Sequence, residues 1–181
     1  MVTIDLITGF LGSGKTTFLK KYAEYLMDQG LHIGILENDF GAINVDMLML
    51  HELRGDQCEL EMIAGGCDAE SHRRRFRTKL ISMRMCGYDR VLVEPSGIYD
   101  VDEFFDVLRE EPLDQWYEIG NVIAILDARL ENNLSQQADY LLASEAANAG
   151  KVILSHADAA TREQCEDTVA HLNPVSYTHL R

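Results

Sequence analysis

Near the start of the chain, Gly9-Phe10-Leu11-Gly12-Ser13-Gly14-Lys15-Thr16 places three glycines, an ammonium and two hydroxyls within eight residues. The spacing is G-x-x-x-x-G-K-[ST], in which backbone N–H groups curl around the phosphates of a nucleoside triphosphate. Gly9, Gly12, Ser13 and Gly14 supply the loop, and the helix that opens at Lys15 adds its dipole. Lys15 is expected to reach the β- and γ-phosphates and the Thr16 hydroxyl to ligate Mg²⁺, with Thr17 beside it in the same site. A second group of residues suits the same ligand. Val91-Leu92-Val93-Glu94-Pro95-Ser96-Gly97 is an apolar run that delivers a carboxylate and then a turn. Glu94 there can hold Mg²⁺ through water, and the Gly97 N–H can meet the γ-phosphate.

A loop and a carboxylate from distant parts of the chain meet only if regular elements carry them. Short apolar β-rich segments alternate with helical patterns, the rhythm of a mostly parallel sheet flanked by helices in the three layers of a P-loop α/β domain. The strands expected are Val2–Thr8, Leu31–Glu37, Arg90–Glu94, Val122–Asp127 and Lys151–Ser155. Helical spacing appears in Phe18, Tyr22, Tyr25 and Leu26 after Lys15, and in Phe104, Phe105 and Leu108 after Asp102. Leu141, Leu142 and Ala146 suggest another helix, and Cys165, Val169 and Leu172 a last one. Arg73, Arg74, Arg75, Arg77 and Lys79 form a basic run on a helix ending near Met85, read as a solvated face or, alternatively, as a docking surface for an acidic partner.

With 181 residues the chain fits one domain, taken as residues 1–174. One more strand is expected after Asn173-Pro174, whereas Val175–Arg181 reads as an unstructured or foreign tail. A formal charge of −14 argues against nucleic acid or an anionic membrane as partner. No apolar run approaches the roughly 20 residues of a membrane span, and no secretory signal pattern opens the chain. Cys58, Cys67, Cys86 and Cys165 form no Cys-x-x-Cys pair, so a reducing, cytoplasmic setting is expected.

Taken together, GFLGSGKTT (Gly9–Thr17), ENDFGAINVD (Glu37–Asp46), GGC (Gly65–Cys67), VEPSG (Val93–Gly97) and VIAILDA (Val122–Ala128) resemble the CobW-like members of the P-loop GTPases, a group that includes urease- and hydrogenase-accessory proteins. The likeness runs from Val2 to about Pro174. It implies a GTP-binding, slowly GTP-hydrolysing protein that hands a metal or metal-containing cofactor to a client metalloprotein. Glu94 takes the family's Walker B glutamate position, and the family's second domain is absent from these residues. Three motifs depart from the pattern. The family's Cys-x-Cys-Cys is Cys67-Asp68-Ala69-Glu70, a glutamate after the Asn-x-Phe-Gly run is Ala42, and the guanine-reading Asn/Thr-Lys-x-Asp is Ser155-His156-Ala157-Asp158. Asp158 is kept to read the base, and His156 stands where the lysine would, able to stack on it.

For a transition metal there remain Glu37, Asp39, Cys67, Asp68, Glu70 and His72, a mixed oxygen, sulfur and nitrogen set suited to Zn²⁺ or another borderline divalent ion. Cys67 and Glu37 are its expected centre, Glu37 ending a strand taken to neighbour the phosphate loop. The alternative is that Glu37–Asp46 only senses nucleotide and that Glu70 and His72 open a solvated helix. His32, His51, His171 and His179 are read as structural. Two rival functions share the phosphate chemistry: a P-loop kinase of a small molecule, and a non-catalytic nucleotide or metal sensor.

Overall fold

The computed structural model describes residues 1–10, 12–39, 45–64, 69–95, 101–130 and 134–178. Six strands, β1 (Val2–Thr8), β2 (Ile33–Asp39), β3 (Cys58–Ala64), β4 (Arg90–Pro95), β5 (Tyr117–Asp127) and β6 (Lys151–Ser155), form one sheet in the order β3-β2-β4-β1-β5-β6. Every neighbouring pair is parallel. Parallel strands need crossovers, and helices supply them: α1 (Lys15–Asp28), α2 (Val45–Leu50), α3 (Ala69–Arg84), α4 (Val101–Leu108), α5 (Leu113–Trp116), α6 (Gln136–Asn148) and α7 (Arg162–Thr178). A 3₁₀ turn, His51–Leu53, follows α2.

Successive strand residues feed opposite faces, and the core divides accordingly. Ile33, Ile35, Leu92, Ile123 and Ile125 pack with Leu19, Ala23 and Leu26 of α1 on one face. Leu36, Val91 and Val93 pack with Phe76 and Leu80 of α3 and Phe104 and Val107 of α4 on the other. Within α1 the buried apolar stripe is Leu19, Ala23 and Leu26, whereas Tyr25, expected on that stripe, is 60% exposed.

The two ends of the sheet are built differently. At the N-terminal end the fully buried Asp5 accepts from Tyr22 Oη at 2.8 Å and Arg90 Nη1 at 2.7 Å, and its other oxygen accepts from the Asn121 N–H at 2.6 Å. That network ties α1, β1, β4 and β5 together, at a place where the β1–β5 register shifts between Ile4 and Leu6. The other end holds the C-termini of the strands, where open α/β sheets take their ligands.

Two expectations differ from the observed sheet. β3 was not foreseen, and it occupies the sheet edge beside β2. β4 lies between β2 and β1 and places Glu37 in register with Glu94. No strand follows Pro174 among the described residues, since α7 carries the chain to Thr178. The first and last expected strands, Val2–Thr8 and Lys151–Ser155, have the observed bounds, while β5 begins five residues earlier than expected because Tyr117–Ile119 pair with Val2–Ile4.

Candidate functional site

The turn from β1 into α1 is set by glycine conformations that other residues rarely adopt: φ is +141° at Gly9, +77° at Gly12 and +89° at Gly14. At Gly9 there is also no room, since a Cβ would run into the Ile125 carbonyl oxygen of β5. Ser13 N–H donates to the Phe10 carbonyl at 3.1 Å, and the same carbonyl accepts from Lys15 Nζ at 3.0 Å. The loop therefore folds over its own ammonium, and Lys15 and Thr16 are both buried as the first residues of α1. Thr17 points to solvent. Next to Gly14, whose added Cβ would sit 3.6 Å from Ser155 Cβ, stands the end of β6.

Across 78 residues of sequence, Thr16 Oγ1 donates to Glu94 Oε1 at 2.7 Å, and both side chains are buried. Parallel pairing of β1 with β4 is what brings them together, Leu6 lying opposite Val93. A hydroxyl and a carboxylate side by side below a loop of backbone N–H donors are hard oxygen ligands of the sort Mg²⁺ takes. Glu37, also buried, is one strand further along.

On the opposite side of the loop, a cleft of about 220 Å³ opens between Phe10, Gly12 and Ser13 and the end of β5 at Asp127, Arg129 and Leu130. Asp127 organises this wall. It accepts from the Arg129 N–H at 2.9 Å and from both Nε and Nη2 of Arg129, at 3.1 and 3.0 Å. The Arg129 guanidinium, with its backbone N–H, holds the Asp127 carboxyl down to about 2. His156, in the left-handed region at φ +52°, turns Nδ1 to within 3.0 Å of Asp127 Oδ2. Asp158 is exposed and acts on the Arg129 charge. The residues expected to read a base thus lie at the end of β6, beside Gly14 and the Asp127–Arg129 pair.

The transition-metal set is only partly gathered. Gly97, Cys67 and Asp68 lie outside the described residues, as does Ala42. Among the described residues no group of three or more His, Cys, Asp or Glu side chains is placed to hold a metal ion. Glu70 is exposed, but His72 is buried, with Nδ1 3.3 Å from Glu103 Oε1 of α4, so it does not share in a solvated helix start. The basic run of α3 is largely used within the domain. Arg73 and Arg77 bind Glu110, Arg77 also reaches the Glu111 carbonyl, and Lys79 binds Glu61 of β3. Of the remaining histidines, His171 meets Asp139 at 3.2 Å and the His32 ring lies against Tyr88. Burial pushes the Cys58 thiol up to about 11, which makes it a packing residue.

One residue at the loop was not singled out from the sequence. Glu145 of α6 is buried against the last residue of β1, its Oε1 accepting from Thr8 Oγ1 at 3.1 Å, and it also accepts from the Gly9 N–H. The signal was present: Glu145 falls in helical register with Leu141 and Leu142 on the buried face of α6.

No helix among the described residues is long and apolar enough to cross a membrane. In comparison with known proteins, residues 3–178 match the family described as CobW/HypB/UreG, nucleotide-binding domain. Zinc chaperone YjiA of Escherichia coli strain K12 is 29% identical over 186 residues, covering 95% of this chain and 55% of YjiA. Zinc chaperone YeiR of the same strain is 28% identical over 164 residues, covering 90% of this chain and 49% of YeiR. The chain thus spans about half the length of the curated relatives it matches. The crystal structure of Zn(II)-bound YjiA GTPase from E. coli superposes with a TM-score of 0.58 at 21% identity, over 94% of this chain and 54% of that one, which shows a common fold. With the glycine loop on β1 and Glu94 on β4 in place, the match over nearly the whole length means that this chain belongs to the CobW/HypB/UreG nucleotide-binding domain family.

Proposed function

We propose that this is the nucleotide domain of a cytoplasmic GTP-binding protein that hydrolyses GTP slowly and serves the delivery of a metal, or of a metal-containing cofactor, to a client metalloprotein. The observation that carries the proposal is the buried Thr16–Glu94 contact of 2.7 Å below the glycine loop. The names of the relatives, zinc chaperones, favour this reading over a small-molecule kinase or a non-catalytic sensor.

The backbone N–H groups of the loop from Gly9 to Gly14 bind the phosphates, and Lys15 exchanges its bond to the Phe10 carbonyl for phosphate oxygens. Thr16 directly, and Glu94 through water, would hold Mg²⁺, which when bound supplies charge neutralisation on the β- and γ-phosphates. Gly97 is assigned the γ-phosphate contact. Asp158 reads the guanine amide and amine, and His156, anchored on Asp127, lies against the base. Water attacks the γ-phosphorus and the bond to the β–γ bridging oxygen breaks, giving GDP and phosphate. Turnover on the order of 10⁻⁴ to 10⁻² per second is expected of a GTPase that awaits a partner.

Zinc, or another divalent ion, enters as cargo. Cys67 and Glu37 are its proposed centre, with Asp68 or Glu70 completing the set, and softer metals lose affinity where oxygen stands in place of sulfur. Cargo is taken to be coupled to nucleotide state through the Glu37–Asp46 segment, a reading that the register of Glu37 with Glu94 on adjacent strands supports. The test is the identity and stoichiometry of nucleotide and metal carried by the purified protein, together with phosphate release with and without small-molecule acceptors. Guanine nucleotide with slow, acceptor-independent release supports the proposal. Phosphate transfer to an acceptor, or release at several per second, overturns it.

A further inference from the structure

Behind the phosphate loop, on the side away from Glu94, a carboxyl group is buried where no phosphate chemistry needs a negative charge. Glu145 is 1% exposed. Its Oε1 accepts from Thr8 Oγ1, the last side chain of β1, and the Gly9 N–H also donates to it, so it holds the residue at which the loop begins. Gly9 is packed so closely to β5 that a Cβ there would run into the Ile125 carbonyl oxygen. Among the described residues Glu145 Oε2 has no hydrogen-bond partner, and neither does Ser13 Oγ, which flanks Gly9 from the loop side. An oxygen buried in this way suits a protonated carboxyl better than a carboxylate.

From this geometry we infer that Glu145 is a positioning residue of the phosphate loop, and that its carboxyl takes up a proton from solvent as a polyphosphate enters the loop. The inference rests on the nucleotide-binding reading of the loop. Burial already pushes the Glu145 carboxyl up to about 7, against the opposing pull of Thr8, Lys15 and the Gly9 N–H. Lys15 is the cation that favours the ionised form. A polyphosphate takes that ammonium for itself and brings several negative charges to the other side of a single turn of backbone. Both changes act against a carboxylate at Glu145, and a proton on it removes the repulsion while leaving Oε1 free to accept from Thr8.

The other charged groups on elements packed against α6 are engaged elsewhere or lie in solvent. Asp127 of β5 is held by Arg129 and His156, Glu118 of β5 by Thr3, Glu103 of α4 by His72, and His171 of α7 by Asp139. Asp102 and Asp106 of α4 are exposed, as are Arg162, Glu163, Glu166 and Asp167 of α7.

The experiment is calorimetric titration of GTP into the full chain at pH 7.5, in buffers of different ionisation enthalpy, for wild type and Glu145→Gln. Wild type should take up roughly half a proton or more beyond Glu145→Gln for each GTP bound. Its GTP affinity should also weaken, relative to that variant, by up to about tenfold per pH unit above neutrality. Thr8→Val, which deletes a donor to the ionised form, should move the uptake to higher pH, and this variant keeps the inference testable should Glu145→Gln not fold. Equal proton uptake in wild type and Glu145→Gln, or an uptake profile unmoved by Thr8→Val, overturns it. Absence of GTP binding by the wild type instead overturns the nucleotide reading on which it rests.

Discussion

Replacing Glu145 by Gln should change the stability of the domain in a way that depends on pH, and the size of the effect follows from the site. The Glu145 carboxyl titrates at about 7 in the folded chain against an ordinary 4.5, so the folded state holds this proton more tightly than the unfolded one. Such a group contributes its stability in full below pH 4.5, and that contribution disappears as pH rises through 7. Between pH 5 and pH 8 the loss amounts to about 2 to 3 kcal/mol, at 1.36 kcal/mol for each unit of displacement. Gln keeps the shape and the oxygen that accepts from Thr8 but cannot ionise, and any cost of its amide group is the same at every pH. The difference in unfolding free energy between wild type and Glu145→Gln should therefore move by about 2 to 3 kcal/mol in favour of the variant from pH 5 to pH 8. Urea unfolding at pH 5, 6, 7 and 8, without nucleotide, measures it. A difference that stays constant over this range refutes the reasoning, because the buried carboxyl would then titrate no differently in the two states.

Gly9→Ala should destabilise the chain by about 2 kcal/mol or more and abolish GTP binding, because its Cβ meets the Ile125 carbonyl at a backbone angle few residues adopt; an unchanged melting temperature with intact binding would count against the loop geometry. Asp158→Asn should lower the GTP-over-ATP preference by about tenfold in competition titrations, and an unaltered ratio would mean that the segment after β6 does not read the base. Cys67→Ala should weaken zinc binding, with the loss differing between GTP-bound and nucleotide-free protein, and wild-type affinity should fall with pH as the ligands protonate. Identical zinc isotherms for the two proteins would remove Cys67 from the site.

The parts of this site that were legible from sequence are those encoded locally. The glycine loop is eight consecutive residues, and the ends of β1 and β6 are marked by an abrupt change of composition. The Thr16–Glu94 contact could be anticipated only because each residue sat in a motif tied to the same ligand, since nothing local relates positions 78 residues apart. β3 escaped notice although Cys58, Leu60 and Met62 alternate with Glu59 and Glu61, the period of a strand. At the sheet edge Glu59 and Glu61 reach Tyr88 and Lys79. The order of strands was likewise hidden, so that the register of Glu37 with Glu94 across β2 and β4 could not be read from the sequence. The Asp127–Arg129–His156 wall and the Glu145–Thr8 contact depend on α6 and β6 crossing to the far side of β1, a fact of topology that single positions do not announce.

Lys15 and the Thr16–Glu94 pair are proposed to serve a bound triphosphate. Phosphate release from GTP with Mg²⁺, measured for wild type, Lys15→Ala and Thr16→Ala with folding verified by circular dichroism, tests it most directly. Wild type should release phosphate slowly, and both variants should lose binding or turnover, each lacking a contact that no neighbouring side chain replaces. Release by both variants at the wild-type rate would contradict it.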